Sequence, residues 1–274
     1  MNIRPPYASG VFYLGYMEGL KREVAKCLGQ ETIDVEQMKN AIGVIVPHAG
    51  YDYSGAVAGK VYRNIRMPKT FIIIGPNHSG FGSDIAVDTN HSWKTPLGTV
   101  DVDEPLAKSI IRKSHAAKDD YDAHRLEHSV EVQLPFLQHL TSGEMTFVPI
   151  SVRGNLEAET AESVGLAIAD AVRDEGRDVL IVASTDLTHY EPLPIAERSD
   201  QIAIDAMLTL EPLHMLEVVF EHDISMCGPG PVATMMYAVN DLGATQAELV
   251  SYRTSADFSM NDKNVIGYAG IVIT

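Results

Sequence analysis

The sequence predicts a single α/β domain spanning 1–274, with a mainly parallel central sheet flanked by helices. Three observations lead there. Four continuous Val/Ile-rich runs, at 41–46, 71–74, 145–152 and 179–183, have the unalternating hydrophobicity of strands buried on both faces. Helical patterns separate these runs, and that alternation builds a parallel sheet. No Pro/Ser-rich linker or internal repeat divides the chain.

Taken in order, residues 11–28 read as a helix with apolar positions at Leu14, Met17, Leu20, Val24 and Leu28. Residues 41–46 form a buried strand, 54–64 a helix and 71–74 the second buried strand. Short strands at 84–87 and 99–102 flank a loop carrying Trp93, the only tryptophan. Helical patterns follow at 104–113 and 129–140, then the third strong strand at 145–152 and a helix over 159–175. The fourth strand, 179–183, precedes helices near 195–208, 212–221 and 231–242. Strands at 248–252 and 265–273 complete the pattern.

Composition narrows the function. Of the 274 residues, 45% are hydrophobic and 21% charged, ordinary values for a protein with a large core. The net charge of −16 argues against a nucleic-acid partner, which needs clustered Lys and Arg. No stretch approaches about 18 uninterrupted apolar residues, so no membrane span is expected. The start, Met1-Asn2-Ile3-Arg4-Pro5-Pro6-Tyr7, lacks the apolar segment of a signal peptide. Two cysteines, Cys27 and Cys227, are too few for a disulfide framework. A reduced, cytoplasmic protein is the expectation.

Chemistry gathers where strands end. Pro47-His48-Ala49-Gly50 follows the first strand, and Gly75-Pro76-Asn77-His78 follows the second. Ser184-Thr185-Asp186-Leu187-Thr188-His189 follows the fourth. A lone histidine is ordinarily a satisfied polar residue. Here turn-forming residues bring each imidazole to a strand end, the place where parallel sheets collect ligands. Cys227 stands before Gly228-Pro229-Gly230-Pro231, read as a turn leading into a helix. A thiol at a helix N-terminus is pushed toward thiolate. His48, His78 and Cys227 are candidate metal ligands, with His189 and Asp186 still open beside them, since imidazole and thiolate suit iron, copper and zinc.

Asp186 and His189, spaced i and i+3, fit one helical turn. They are the candidate catalytic pair. His189 would move protons, because the unperturbed imidazole pKa lies near neutrality. Asp186 would orient an imidazole or a bound water, or bind the metal directly, unless it only caps a short helix. His124 and His128 form a competing i, i+4 pair without the intervening Glu of a helical zinc site. His128 and Glu131, with Asn77 and Tyr51, complete the set as pocket-lining or ligand-supporting residues.

These blocks resemble the signatures of the Memo family. The resemblance rests on Pro47-His48-Ala49-Gly50-Tyr51, Gly75-Pro76-Asn77-His78, Glu127-His128-Ser129-Val130-Glu131, Ser184-Thr185-Asp186-Leu187-Thr188-His189-Tyr190 and Met226-Cys227-Gly228. Ala8-Ser9-Gly10-Val11-Phe12-Tyr13 and Gly267-Tyr268-Ala269-Gly270 extend it to both ends. It implies the fold of class III extradiol dioxygenases, which hold non-haem iron between two histidines and a carboxylate. By that resemblance His48 and His78 take the imidazole positions and Cys227 stands in the carboxylate's place. Fe(II) is the implied cofactor, with copper or zinc as alternatives, and a radical-SAM protein is among the implied partners. Pro229-Gly230 stand where the animal relative has a basic residue and a histidine, so its phosphopeptide binding does not carry over. Three readings follow: a metal-dependent oxidoreductase acting on an unidentified small molecule, a binding protein using a dioxygenase-like cleft to dock a protein partner, or a hydrolase. The hydrolase would use metal-bound water or a Cys227–His189 nucleophile.

Overall fold

The computed structural model describes residues 2–29, 35–154, 156–259 and 261–274. The strongest apolar runs form the centre of one sheet. β1 (Asn2–Arg4), β2 (Gly43–Val46), β3 (Thr70–Asn77), β4 (Ile85–Val87), β5 (His91–Thr95) and β6 (Gly98–Val102) come first. β7 (Lys118–Asp119), β8 (Thr146–Arg153), β9 (Val179–Ser184), β10 (His189–Glu191), β11 (Ala247–Thr254) and β12 (Val265–Ile273) follow. The spatial order is β1-β5-β6-β8-β3-β9-β2-β12-β10, with β11 beside β12 and β4 beside β8 and β7. From β6 through β2 every neighbour is parallel, while β12 returns antiparallel to β2.

The helices are α1 (Met17–Leu28), α2 (Tyr51–Arg63), α3 (Glu104–Lys113), α4 (Asp122–Arg125), α5 (Leu134–Leu140), α6 (Ala158–Glu175), α7 (Leu193–Leu208), α8 (Pro212–Glu221) and α9 (Pro229–Asp241). Alternate strand residues feed two cores. Ile72, Ile74, Ile181 and Ile45 pack with α6 and α9; Phe71, Ile73, Val182 and Val44 pack with α1, α2 and α5. A side-chain period of two with both faces covered explains why these strands read as unbroken apolar runs. Each fully buried Ile or Phe contributes roughly 1.5–3 kcal/mol.

Four local expectations are corrected. The first helix begins at Met17 rather than residue 11, because 8–13 close into a tight turn in which the Val11 and Phe12 amides bond the Ala8 carbonyl. Tyr13 in that turn donates its hydroxyl to Glu131 at 2.5 Å, a tertiary bond that overrides helical periodicity. Trp93 lies within β5, fully buried and bonded through Nε1 to Asp88, not on a loop. The helix predicted over 129–140 opens with a 3-10 turn at Glu131–Gln133 before α5. Pro229 and Pro231 lie inside the first turn of α9, where their missing N–H groups are harmless, so 228–231 is a helix start rather than a turn.

The strand order decides the site. β9 lies between β3 and β2, so the carboxyl ends of all three are adjacent. His78 follows β3, Asp186 follows β9 and His48 follows β2.

Candidate metal centre

His48 is built from β2 and the turn into α2. The residue is 2% exposed, and its Nδ1 lies 3.0 Å from Ser184 Oγ. That hydroxyl spends its proton on the Ser129 carbonyl at 2.7 Å and receives the Gln133 amide at 2.9 Å. Gln133 is oriented by the Pro47 carbonyl, which can only accept, and by Tyr62. Ser184 must therefore accept from His48, which places the proton on Nδ1 and leaves Nε2 bare. Nε2 lies 3.2 Å from Cys227 Sγ.

His78 has the same construction with a stronger partner. Its Nδ1 is 3.0 Å from Glu127 Oε1, and its amide donates to Glu127 Oε2 at 2.6 Å. Glu127 is buried and also accepts the His128 and Ser129 amides at 2.8 and 2.9 Å. Burial pushes the Glu127 carboxyl up. The hydrogen bond and charge of His78, with further help from His128 and the Ser129 amide, outweigh it and hold the carboxyl well below its usual range. An ionised Glu127 accepts the His78 Nδ1–H, which leaves Nε2 as the nitrogen of the neutral ring open to an ion. Gly75 allows this approach: a Cβ there would fall 2.4 Å from Ser129 Oγ.

Cys227 is pinned to the end of β9. Its sulfur accepts the Asp186 amide at 3.1 Å, and its amide reaches the Asp186 carbonyl at 3.3 Å. Gly228 bonds Thr185 Oγ1 at 3.0 Å, and a Cβ at 228 would lie 2.8 Å from that oxygen. Burial and the Asp186 charge push the thiol up, while the Asp186 amide and Thr185 lower it less. This corrects the expectation of a thiol pushed toward thiolate at a helix N-terminus: burial and the Asp186 charge dominate here. Burial and the neighbouring His128 and His78 push His48 far below the usual imidazole range.

The ligand atoms of His48, His78 and Cys227 all lie within 4.8 Å of one another, and the two rings are 5.3 Å apart. Bare imidazole nitrogens and a sulfur at such separations suit one transition-metal ion. His78, Glu127 and His128 form a second group of the same compactness. There, however, the Glu127 oxygens already accept four N–H groups, so that group supports His78 rather than offering ligands.

The remaining predicted residues divide. His128 lines the cavity, stacked between Phe12 at 4.2 Å and His78 at 4.8 Å. His189 lines it too, its Nδ1 2.9 Å from the Ser225 carbonyl, so Nδ1 is the donor and Nε2 is bare. Asp186 and His189 do not share a helical turn, since 185–188 is irregular and His189 opens β10. Nor does Asp186 orient an imidazole or cap a helix; its carboxylate accepts the His48 amide at 2.8 Å and also that of Ala49. Ser184 takes the orienting role instead. Glu131 is fully buried among Arg4, Tyr13 and the amides of Tyr7 and Ala8, and Tyr51 donates to the Val132 carbonyl inside the core. Neither reaches the cavity. Asn77 ties the 79–81 turn through Ser79, Gly80 and Phe81 and touches no imidazole. Sequence reasoning missed Glu127, Ser184 and Gln133 as the groups that set the imidazoles. The one available signal was an acid directly before His128, and it reads equally as a first-turn helix residue.

A cavity of about 640 Å³ opens on the centre, lined by Phe12, Tyr53, Tyr190, Ile266 and Tyr268 together with Asn261 and Asn264. No Lys or Arg lines it among the described residues.

Fold and site together define an α/β protein with a histidine–cysteine donor cluster at the ends of three adjacent parallel strands. The chain belongs to the Memo family: the family model described as Memo-like protein matches residues 4–272. A MEMO1 family protein of Methanopyrus kandleri is 40% identical over 98% of both chains. Another, from Methanothermobacter thermautotrophicus, is 42% identical over 97% of this chain and 99% of its own. An uncharacterized protein of Escherichia coli K12, known from its crystal structure, shares the fold at 15% identity with a TM-score of 0.55. That likeness covers 83% of this chain and 98% of the other. No helix among the described residues is long and apolar enough to cross a membrane.

Proposed function

We propose that this chain binds one transition-metal ion through His48 Nε2, His78 Nε2 and Cys227 Sγ, and serves as a non-haem-iron-type oxidoreductase on a small molecule entering the cavity. The observation that carries the reading is the matched protonation of the imidazoles. Ser184 and Glu127 each accept at an Nδ1, which leaves His48 Nε2 beside the thiol and His78 Nε2 open to an ion. When bound, Fe(II), or copper or zinc in its stead, would supply Lewis acidity, and the redox metals would add electron transfer.

The chain's own residues would do the rest. The depressed His48 pKa keeps that ring neutral, as a ligand must be. His189, fixed by Ser225, presents its bare Nε2 as the proton acceptor. Asp186 holds the His48 backbone and is the one carboxylate among the described residues that line the cavity. Phe12, Tyr53 and Tyr268 exclude water around the entering molecule.

A hydrolase built on a cysteine nucleophile fits less well. The thiol's neighbour is His48, 3.2 Å away, rather than His189, and both groups are pushed toward their neutral forms. A thiolate–imidazolium pair needs the opposite. Metal content and the optical spectrum of protein purified without oxygen or chelators test the proposal. About one ion per chain is expected, falling at least tenfold in affinity in His48→Ala and in His78→Ala. Unchanged metal content in the double variant would refute it.

A further inference from the structure

We infer that Arg4, at the end of β1 and remote in sequence from every proposed ligand, is a positioning residue for the metal centre, acting through Glu127. Its side chain is fully buried, and its guanidinium lies 4.0 Å over the Trp93 ring. Nε donates to the His124 carbonyl at 2.8 Å, and Nη2 to the Glu127 carbonyl at 2.6 Å. Nη1 meets the Glu131 carboxylate at 2.5 Å, with a longer contact to the Pro5 carbonyl at 3.4 Å. Apart from that Pro5 contact, each bond lands on residues 124–131.

That stretch needs an external brace. It holds the end of the four-residue α4 and the start of a 3-10 turn, so no extended ladder sets its path. Yet it carries Glu127, whose carboxylate holds the His78 ring and amide, and His128, which stacks on His78. Arg4 grips the Glu127 backbone while Glu127 grips His78. The same ion pair closes from the other side: Glu131 takes the Tyr7 and Ala8 amides and the Tyr13 hydroxyl, setting the turn that puts Phe12 against His128.

Stability alone is a poor reason for this arrangement. A buried ion pair often gains nothing over well-packed apolar side chains of the same volume. What it supplies is geometry, because a planar fork holds three acceptors at set angles and a lysine ammonium does not.

The functional consequence, though not the positioning itself, rests on the metal-centre reading, and the test separates the two. Amide hydrogen exchange in Arg4→Lys reads positioning without any metal. The His78, His128 and Ser129 amides, all donors to Glu127, are expected to exchange at least about tenfold faster, while Ile72 and Ile74 in β3 stay unchanged. Anaerobic Co(II) titration reads the consequence. Affinity should fall about tenfold in Arg4→Lys, but change less than about twofold when the same substitution is made in Glu127→Gln, since residues acting in series are not additive. Additive losses, or exchange accelerated equally in β3, would overturn the inference. If the wild-type chain binds no Co(II) while the exchange pattern appears, the metal reading fails and the positioning stands. Should Arg4→Lys not fold, Glu131→Gln must give the same local pattern; if neither folds, Arg4 is a folding residue and the inference is wrong.

Discussion

Glu127 holds His78 at two points, with Oε1 3.0 Å from the ring Nδ1 and Oε2 2.6 Å from the backbone nitrogen. One contact sets which ring nitrogen carries the proton; the other sets where the backbone stands. Together they fix the ring in a group whose ligand atoms, with those of His48 and Cys227, lie within 4.8 Å of one another. Burial lowers the His78 pKa, yet the Glu127 hydrogen bond and charge outweigh it and the net shift is upward. Supporting carboxylates of this kind raise an imidazole's basicity and thereby its strength as a ligand.

Glu127→Gln keeps the shape and one acceptor oxygen but removes the charge. Metal affinity should fall about 10–100-fold, the usual cost of losing such a partner. A pH signature accompanies it. The Glu127 carboxyl is depressed in the folded state, so its stabilisation is present above the unfolded value near 4.5 and is lost as pH falls through the lower folded pKa. Acid unfolding of the wild type should therefore begin at lower pH than that of the variant. Circular dichroism across the acid range checks it, and coincident curves would remove Glu127 from this role.

Cys227 predicts how metal binding depends on pH. The thiol is raised, so in the neutral range each ion bound must displace one thiol proton. Apparent affinity should rise at least about tenfold per pH unit between about pH 6.5 and 8.5, more steeply at the lower end where the raised His78 also gives up a proton. Cys227→Ser should bind far more weakly and with a different slope, because a hydroxyl is a poor ligand for these metals. Anaerobic titrations at several pH values decide it. A flat profile in the wild type would mean that the sulfur is not a ligand.

The sheet was legible in the sequence because its signals are local. Val179–Ser184 and its neighbours are long apolar runs, and the residues after them are turn formers, so strand ends and histidines could be read together. The supporting residues were not legible, because each works across a large sequence distance. Ser184 meets His48 across 136 residues, Glu127 meets His78 across 49, and Arg4 meets Glu131 across 127. Tyr51 and Glu131 stay out of the cavity for a local reason. Each shares a motif with a site residue, yet the first turn of α2 and the 3-10 turn direct their side chains into the interior. Asp186 and His189 have helical spacing, but the 185–188 backbone is committed elsewhere. Thr185 donates its amide to the Val46 carbonyl, and Leu187 and Gly267 are likewise joined through their backbones.

Asp186 carries a cost that can be measured. Burial raises its pKa to about 6, against the lowering effects of the His48 amide and of His189. An acid with a raised folded pKa destabilises the fold as it ionises. The penalty is absent below the unfolded value of 3.8, grows as pH rises to about 6 and is complete above that. Asp186→Asn retains an oxygen for the His48 amide but turns an NH2 toward that of Ala49, so the metal-free variant should gain on wild type above about pH 6 by at most roughly 1–3 kcal/mol. Urea unfolding of the metal-free proteins at pH values on either side of the transition tests this. Equal stability at high pH would show that the carboxylate is fully compensated in place.

His189 is the sharpest test of the division of roles. Its Nδ1 is occupied by the Ser225 carbonyl, its amide by Ser225 Oγ, and it stands on the cavity wall outside the compact donor group. A residue placed this way can pass a proton without holding the ion. His189→Ala should therefore keep metal affinity within about threefold of wild type, while turnover or the pH dependence of ligand binding changes by the 10²–10⁴-fold typical of a lost acid–base group. His48→Ala in the same titration marks the behaviour of a ligand. If His189→Ala loses the ion as fully as His48→Ala does, His189 is itself a ligand and the proton must move through another group.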